Sequence, residues 1–252
     1  MKNAHKSILK SITLFLIVIT FFSTYSLAQS VENAASPSNL KIFIQYKLIQ
    51  DKLLTNDNIQ VKVTGDKIIL TGTVPSLYDK QQAEEDAHSI DENYSIVNNL
   101  KLENTNIPDS ILIKTIMNKI QSNLFYTVFD WLNVSSSNGV VTLKGWVHEP
   151  WLKNQYQTEI EKIPGVKMID NNLKNTFGPG EFGIRVARLI YNNPMFYGLQ
   201  YEKNPPIHII VNNGNVILEG NVKTETQRSV AENLVRYRTD AFSVENNLKV
   251  EK

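Results

Sequence analysis

The chain has 252 residues, 26 basic and 25 acidic side chains, a formal net charge of +1 and no cysteine. With 42% hydrophobic and 20% charged residues, it has the composition of a globular protein rather than a disordered or fibrous one. The even charge balance argues against a dedicated nucleic-acid binder. The lack of cysteine excludes disulfides, thiolate metal sites, a cysteine nucleophile and an acylated N-terminal cysteine.

Lys2, Lys6 and Lys10 precede an apolar run from Ile12 to Phe22, which is followed by the small-residue pattern Ser26-Leu27-Ala28. This order reads as a secretory signal peptide over residues 1–28, cleaved after Ala28. The alternative, a membrane anchor, needs about 20 apolar residues, and the run is shorter. Residues 29–38, rich in Ala, Ser and Asn, read as a flexible lead. The exported chain is therefore expected to be soluble and to be held together by packing alone.

The rest of the sequence repeats itself. Leu-x-Gly-x-Val occurs with glycines at 72, 145 and 220, and Asn-Asn-Leu-Lys follows with first asparagines at 98, 171 and 246. The interval from Gly to Asn is 26 residues each time. Two motifs held in one register three times mark an internal repeat.

In chain order, apolar helical spacing predicts helices over Leu40–Leu54, Asp109–Leu124 and Gly183–Asn192; the stripe is clearest as Leu112, Ile116, Ile120 and Leu124. Each is followed by alternating strands: Ile59, Val61 and Val63 in the first repeat, Ile207, Ile209 and Val211 in the third, and a weaker Leu132-Val134 in the second. Asn138-Gly139 and Asn213-Gly214 predict hairpin turns with positive φ at both residues, and Gly65-Asp66 a turn with positive φ at the first only. Ser76-x-x-Asp79 and Thr224-x-x-Gln227 have helix-start capping patterns, and Pro150 suits a first helical turn. The Asn-Asn-Leu motif is then expected to end a short third strand. The predicted fold class is α+β: three tandem α-β-β-α-β units over 39–104, 107–176 and 180–252, each a three-stranded mixed sheet with two helices on one face and the other face open.

The pattern of helix, Val-x-Val-x-x-Gly-x-Val-x-Leu-x-Gly-x-Val, helix and Val-x-Asn-x-Leu resembles the BON domain. The resemblance rests on Gly72, Val74, Asn98 and Leu100, on Gly145, Val147, Asn171 and Leu173, and on Gly220, Val222, Asn246 and Leu248. It implies a non-enzymatic periplasmic protein, of the osmotically inducible envelope kind, that associates with phospholipid membrane surfaces or envelope proteins and supports envelope integrity and stress tolerance. Gly72, Gly145, Gly220, Asn98, Asn171 and Asn246 are expected to be structural: the glycines for a bend or close packing, the asparagines for local backbone hydrogen bonds.

No catalytic constellation stands out. His88, His148 and His208 occupy different places in their repeats and have no metal-ligand spacing. Neither a nucleophile elbow nor a phosphate loop is present. The expectation is therefore no enzyme, no cofactor, no metal and no nucleic-acid partner. The acidic run Glu84-Glu85-Asp86 reads as a solvated helix face.

The repeats differ in charge, −3 in the first and +1 in each of the others, and all three Trp lie in the second. Trp131, Trp146 and Trp151, with Lys144, are the candidate lipid- or partner-binding residues, because Trp combines a large apolar body with one donor. Trp146 stands where the other repeats carry Thr73 and Asn221 and is expected on the open sheet face beside Lys144. Packing of these Trp against a neighbouring unit is the competing reading. If instead a client protein is the ligand, the chain is an interaction or chaperone-like module for envelope or secreted proteins.

Overall fold

The computed structural model describes residues 36–53 and 58–251; the expected signal peptide lies outside them, as does nearly all of the expected lead. The elements are α1 (Pro37–Gln50), β1 (Ile59–Thr64), β2 (Lys67–Val74), α2 (Leu77–Ile90) and β3 (Ser95–Leu102) in the first repeat. The second holds α3 (Asp109–Gln121), β4 (Trp131–Ser137), β5 (Val140–Val147), α4 (Pro150–Glu161) and β6 (Met168–Asn175). The third holds α5 (Gly180–Tyr191), β7 (Ile207–Asn212), β8 (Asn215–Val222), α6 (Glu225–Arg238), β9 (Ser243–Asn246) and β10 (Lys249–Val250), with a 3-10 turn at Leu199–Tyr201.

Each repeat is the expected α-β-β-α-β unit. The two hairpin strands pair antiparallel, and the middle strand is flanked on its other side by the third strand. That third pairing is parallel for β5–β6 and for β8 with β9 and β10. By compactness the chain forms two units: the first repeat, as residues up to 74 with 79–101, and the second and third together, as 102–252 with 75–78.

Local chemistry sets the ends. Ser36 caps α1 by accepting from the Asn39 amide at 3.3 Å, so this helix starts at Pro37, inside the expected lead. Thr224 caps α6 by accepting from the Gln227 amide at 3.1 Å, while Gln227 Oε1 accepts from the Lys223 amide at 2.7 Å. Pro150 opens α4. Asn138 and Gly139 have φ of 53° and 82°, Asn213 and Gly214 of 50° and 78°, and Gly65 has 58°. These are the turn conformations expected of each dipeptide.

The helices end earlier than periodicity implied. α3 stops at Gln121 with Ser122 as its cap, so Leu124 falls beyond it and is fully exposed. α1 stops at Gln50 instead of 54, because the backbone turns at Lys52, φ 60°. The core of the second repeat packs Leu112, Ile116 and Ile120 of α3 and Leu152, Tyr156 and Ile160 of α4 onto Leu132, Val134, Val141, Leu143 and Val147 of the sheet.

The Asn-Asn-Leu motif lies in the middle of the third strand in the first two repeats, not at its end. In the third repeat the strand breaks at Asn247-Leu248, yet the Asn247 amide still reaches the Leu218 carbonyl at 2.8 Å. The asparagine does more than local bonding. Asn98, Asn171 and Asn246 donate to the backbone carbonyls of Lys80, Lys153 and Arg228 at 2.8, 3.1 and 3.1 Å. They also donate to Glu84, Gln157 and Glu232 side chains at 2.9, 3.1 and 3.0 Å. Their Oδ1 atoms accept from the amides of Leu100, Leu173 and Leu248 at 3.2, 3.3 and 3.2 Å. Each asparagine thus ties the third strand to the second helix of its repeat.

Asp109 makes a staple specific to the second repeat. Its carboxylate accepts from Ser136 Oγ at 2.5 Å, the Asn138 amide at 2.8 Å and the Gly139 amide at 3.0 Å, fixing the β4–β5 turn to the start of α3. The Ser136 hydroxyl, followed by the two turn amides, holds this carboxyl below its ordinary range. A carboxylate with a depressed value stabilises the fold above its unfolded value and loses that contribution as pH falls through the folded one. Asp109→Asn should therefore lower the melting temperature at pH 7, and the gap from the parent protein should close on acidification toward pH 3. A gap that stays constant from pH 7 to pH 3 would show that the charge of Asp109 is not what holds the turn.

Candidate functional site

In the second repeat, Trp131 and Trp146 face each other across the β4–β5 ladder. Leu132, Leu143 and Val147 are buried under the helices, so strand alternation places Trp131, Trp146 and Lys144 on the opposite face. Trp146 is half-buried, and the Lys174 ammonium of β6 lies 5.2 Å from its ring centroid. Lys144 is exposed, with Asn133 and Asn172 as its cross-strand neighbours. Trp151 is elsewhere. It lies on α4, in the helical layer, exposed and edge-on to Phe125 at 4.9 Å and 85°. The three Trp are therefore not one cluster.

Trp131 is engaged by the third repeat. Its ring is 5.3 Å from that of His208 on β7, and the Tyr126 ring contacts the same imidazole at 5.6 Å. The segment between α3 and β4 docks here: Val128 belongs to the core of the third repeat, Phe129 packs against it, and the Ile209 amide donates to the Val128 carbonyl at 2.7 Å. Ile207, His208, Ile209 and Ile210 are consequently all buried. The open sheet face expected of every repeat is closed along β7, because the second repeat supplies the cover.

Asp130 organises this joint. Fully buried, it accepts from the Thr127 amide at 2.9 Å, the Thr127 hydroxyl at 3.0 Å and the His148 amide at 2.9 Å, and it pairs with His148 Nδ1 at 2.9 Å. The hydrogen bond to Asp130 raises His148 above its ordinary value. His208 is pushed the other way, to about 4, chiefly by burial, with Asp130 opposing. Neither ring nitrogen of His208 has a hydrogen-bond partner of normal geometry. Sequence reasoning placed His148 and His208 apart in their repeats and missed that one carboxylate faces both. No spacing signal announces it, since the residues equivalent to Asp130 are Asp57 and Pro205.

A second exposed surface was also missed. On α1, Leu40, Ile44 and Leu48 are buried in the first repeat, but Ile42, Phe43, Tyr46 and Ile49 are between 50% and 61% exposed. They recur at helical spacing, so α1 is apolar on two faces. Its only charged residues are Lys41 and Lys47; Lys47 bonds Asp51 at 2.6 Å and lies 3.8 Å from Asp86. The signal was present in the run Ile42-Phe43-Ile44, which a single-faced helix does not need.

Among the described residues, no group of three or more His, Asp or Glu is placed to hold a metal ion, and no helix is long and apolar enough to cross a membrane.

The chain is thus built from small α+β units of one element order, set in tandem. The chain belongs to the BON-domain family, whose model matches residues 44–104, 109–175 and 199–252. No curated protein matches the chain. Solved structures that align with it include the C-terminal domain of CdsD, a structural protein of the type III secretion system of Chlamydia trachomatis, at 14% identity and TM-score 0.26 over 85% of this chain and 98% of that one. A second CdsD structure aligns at 14% identity and TM-score 0.26, covering 84% and 92%. The PrgH periplasmic domain aligns at 12% identity and TM-score 0.20, covering 77% and 96%. At these scores the likeness carries no argument about function.

Proposed function

We propose that the protein is a non-enzymatic, exported periplasmic module that docks on anionic phospholipid surfaces and supports envelope integrity under stress. The observation that carries the reading is the second apolar face of α1. Ile42, Phe43, Tyr46 and Ile49 form an exposed stripe on a helix that contains lysines and no acid. Aromatic and aliphatic side chains flanked by cations suit the headgroup boundary, where the apolar face is buried and the ammonium groups meet lipid phosphates. Trp146 with Lys144 and Lys174, and the exposed Trp151, are proposed as further contacts of the same kind; Trp131 is not, since one side of it is taken by His208.

The Trp146 face favours a second reading, docking of an envelope or secreted client. There the half-buried ring faces Trp131 across the ladder and lies under the Lys174 ammonium, with Lys144 two residues before it on the same strand, an aromatic flanked by cations that suits a protein hot spot. Vesicle flotation separates the two. The protein should float with phosphatidylglycerol vesicles and less so as salt is raised. Phe43→Ser combined with Tyr46→Ser should cut the partition coefficient roughly tenfold or more, with an unchanged melting temperature. Flotation unaffected by that pair rejects α1 as the lipid contact. If Trp146→Thr instead abolishes capture of client proteins while flotation is absent in the parent, the client reading replaces the lipid one.

A further inference from the structure

All five arginines of the chain lie in the third repeat, on two helices: Arg185 and Arg188 on α5, and Arg228, Arg236 and Arg238 on α6. Every other basic residue is Lys. Arg185, Arg188 and Arg238 line one groove of about 510 Å³ between the helices, with Asn192 at the rim, Leu189 and Leu234 among its apolar residues, and no acidic side chain in its lining.

Two of the three guanidinium groups are unspent. Arg228 and Arg236 lie outside the groove and pair with Glu225 and Glu232, at 3.5 and 2.7 Å. Arg185 pairs with Asp240 at 3.2 Å, whose side chain is 92% exposed, so that pair is weak, and its guanidinium lies 5.3 Å from the centroid of the Phe182 ring. Arg188 and Arg238 make neither ion pair nor hydrogen bond among the described residues. They stand in the last turns of their helices, where a cation complements the helix dipole. A capping role would show as donation to the terminal carbonyls, and neither side chain makes it.

We infer that this groove is an anion site for a phosphate ester. A carboxylate has two oxygens and one charge, and a single guanidinium fork satisfies it. A phosphate monoester has three peripheral oxygens and nearly two charges at neutral pH, so it can engage several forks at once. The leucines beside the forks would contact the ester's carbon chain. The shared chemistry is the phosphate group itself, on a soluble ester or on a lipid headgroup. The site is remote in sequence from the α1 stripe and does not depend on the lipid reading of that stripe.

The test is titration of the full protein with glycerol 3-phosphate, followed by NMR of the arginine side chains, and in parallel flotation with phosphatidate vesicles. Saturable binding that R188Q/R238Q weakens at least tenfold supports a soluble ester. Flotation that R188Q/R238Q loses, but F43S/Y46S retains, supports a headgroup. R188K/R238K, which keeps the charge but not the forks, should restore only part of either. Both side chains are exposed, so the melting temperature of R188Q/R238Q should fall by no more than the small helix-dipole contribution of the two charges, and R188K/R238K, which keeps them, should restore it. The inference is overturned if neither probe binds in an arginine-dependent way, if the lysine variant binds as well as the parent, or if glutamate competes as strongly as glycerol 3-phosphate.

Discussion

Replacing Gly220 with Val should destabilise the third repeat by about 3 kcal/mol or more. Gly220 sits opposite Ile207 in the β7–β8 ladder with φ of 126°. A Cβ there would be driven into the carbonyl oxygen of Pro206, a backbone atom that cannot rotate away. Gly72 and Gly145 repeat the arrangement, with φ of 128° and 127° and the carbonyls of Asn58 and Trp131 in the way. Two costs combine: a backbone conformation that side chains disfavour, and a close strand approach. Gly65 separates them, because its φ is 58° but no atom lies within 4 Å of its would-be Cβ. Gly65→Ala should cost only about 1 kcal/mol. Chemical denaturation of the two variants measures the difference, and equal losses at 65 and 220 would show that the close approach contributes nothing.

Removing the Asp130 carboxylate should be comparably costly, about 3 kcal/mol, and should also loosen the second repeat from the third. Asp130→Ala strands the amide and hydroxyl of Thr127, the amide of His148 and the His148 ring. It also frees the segment that inserts Val128 into the neighbouring core. Where the parent unit should unfold in one transition, the variant should show two. Asp130→Asn, which retains an acceptor, should fall between. A single unshifted transition in Asp130→Ala would mean that apolar packing alone holds the joint.

The histidines at this joint give it opposing pH dependences. His208 is held near 4 by burial against an ordinary 6.5. Below 6.5 the unfolded chain binds a proton that the folded one refuses, so stability falls from pH 6.5 toward pH 4. His148 is raised, so its contribution is complete below its ordinary value and is lost as pH rises through the folded one. His208→Leu should therefore flatten the acid limb of the stability profile between pH 6.5 and 4, while leaving the alkaline limb to His148. An acid limb as steep in that variant as in the parent would assign the slope to other groups.

The repeat, its α-β-β-α-β order and its turns were legible because they rest on local chemistry. Asn-Gly adopts positive φ wherever a two-residue hairpin needs it, and alternation at Ile207, Ile209 and Val211 marks a strand whatever surrounds it. The role of Asn171 was legible only in part. Its local bond to the Leu173 amide spans two residues, but its bonds to Lys153 and Gln157 cross 18 and 14 positions. The constant Asn-minus-14 spacing to Glu84, Gln157 and Glu232 was available as a clue.

What the sequence by itself determined is the module: three copies, their elements, and the glycines and asparagines that hold each one. Only the tertiary structure decided the surfaces. Asn133 and His208 are equivalent positions on equivalent strands, yet one is exposed and the other fully buried. Trp131 and Trp146 share a sheet face, yet Trp131 is spent on a neighbour's imidazole while Trp146 lies under a lysine of its own sheet. Strand periodicity says which face a side chain takes. It carries no information about what covers that face, because the cover comes from a segment some 80 residues away whose docking depends on shape and buried charge, not on the repeat.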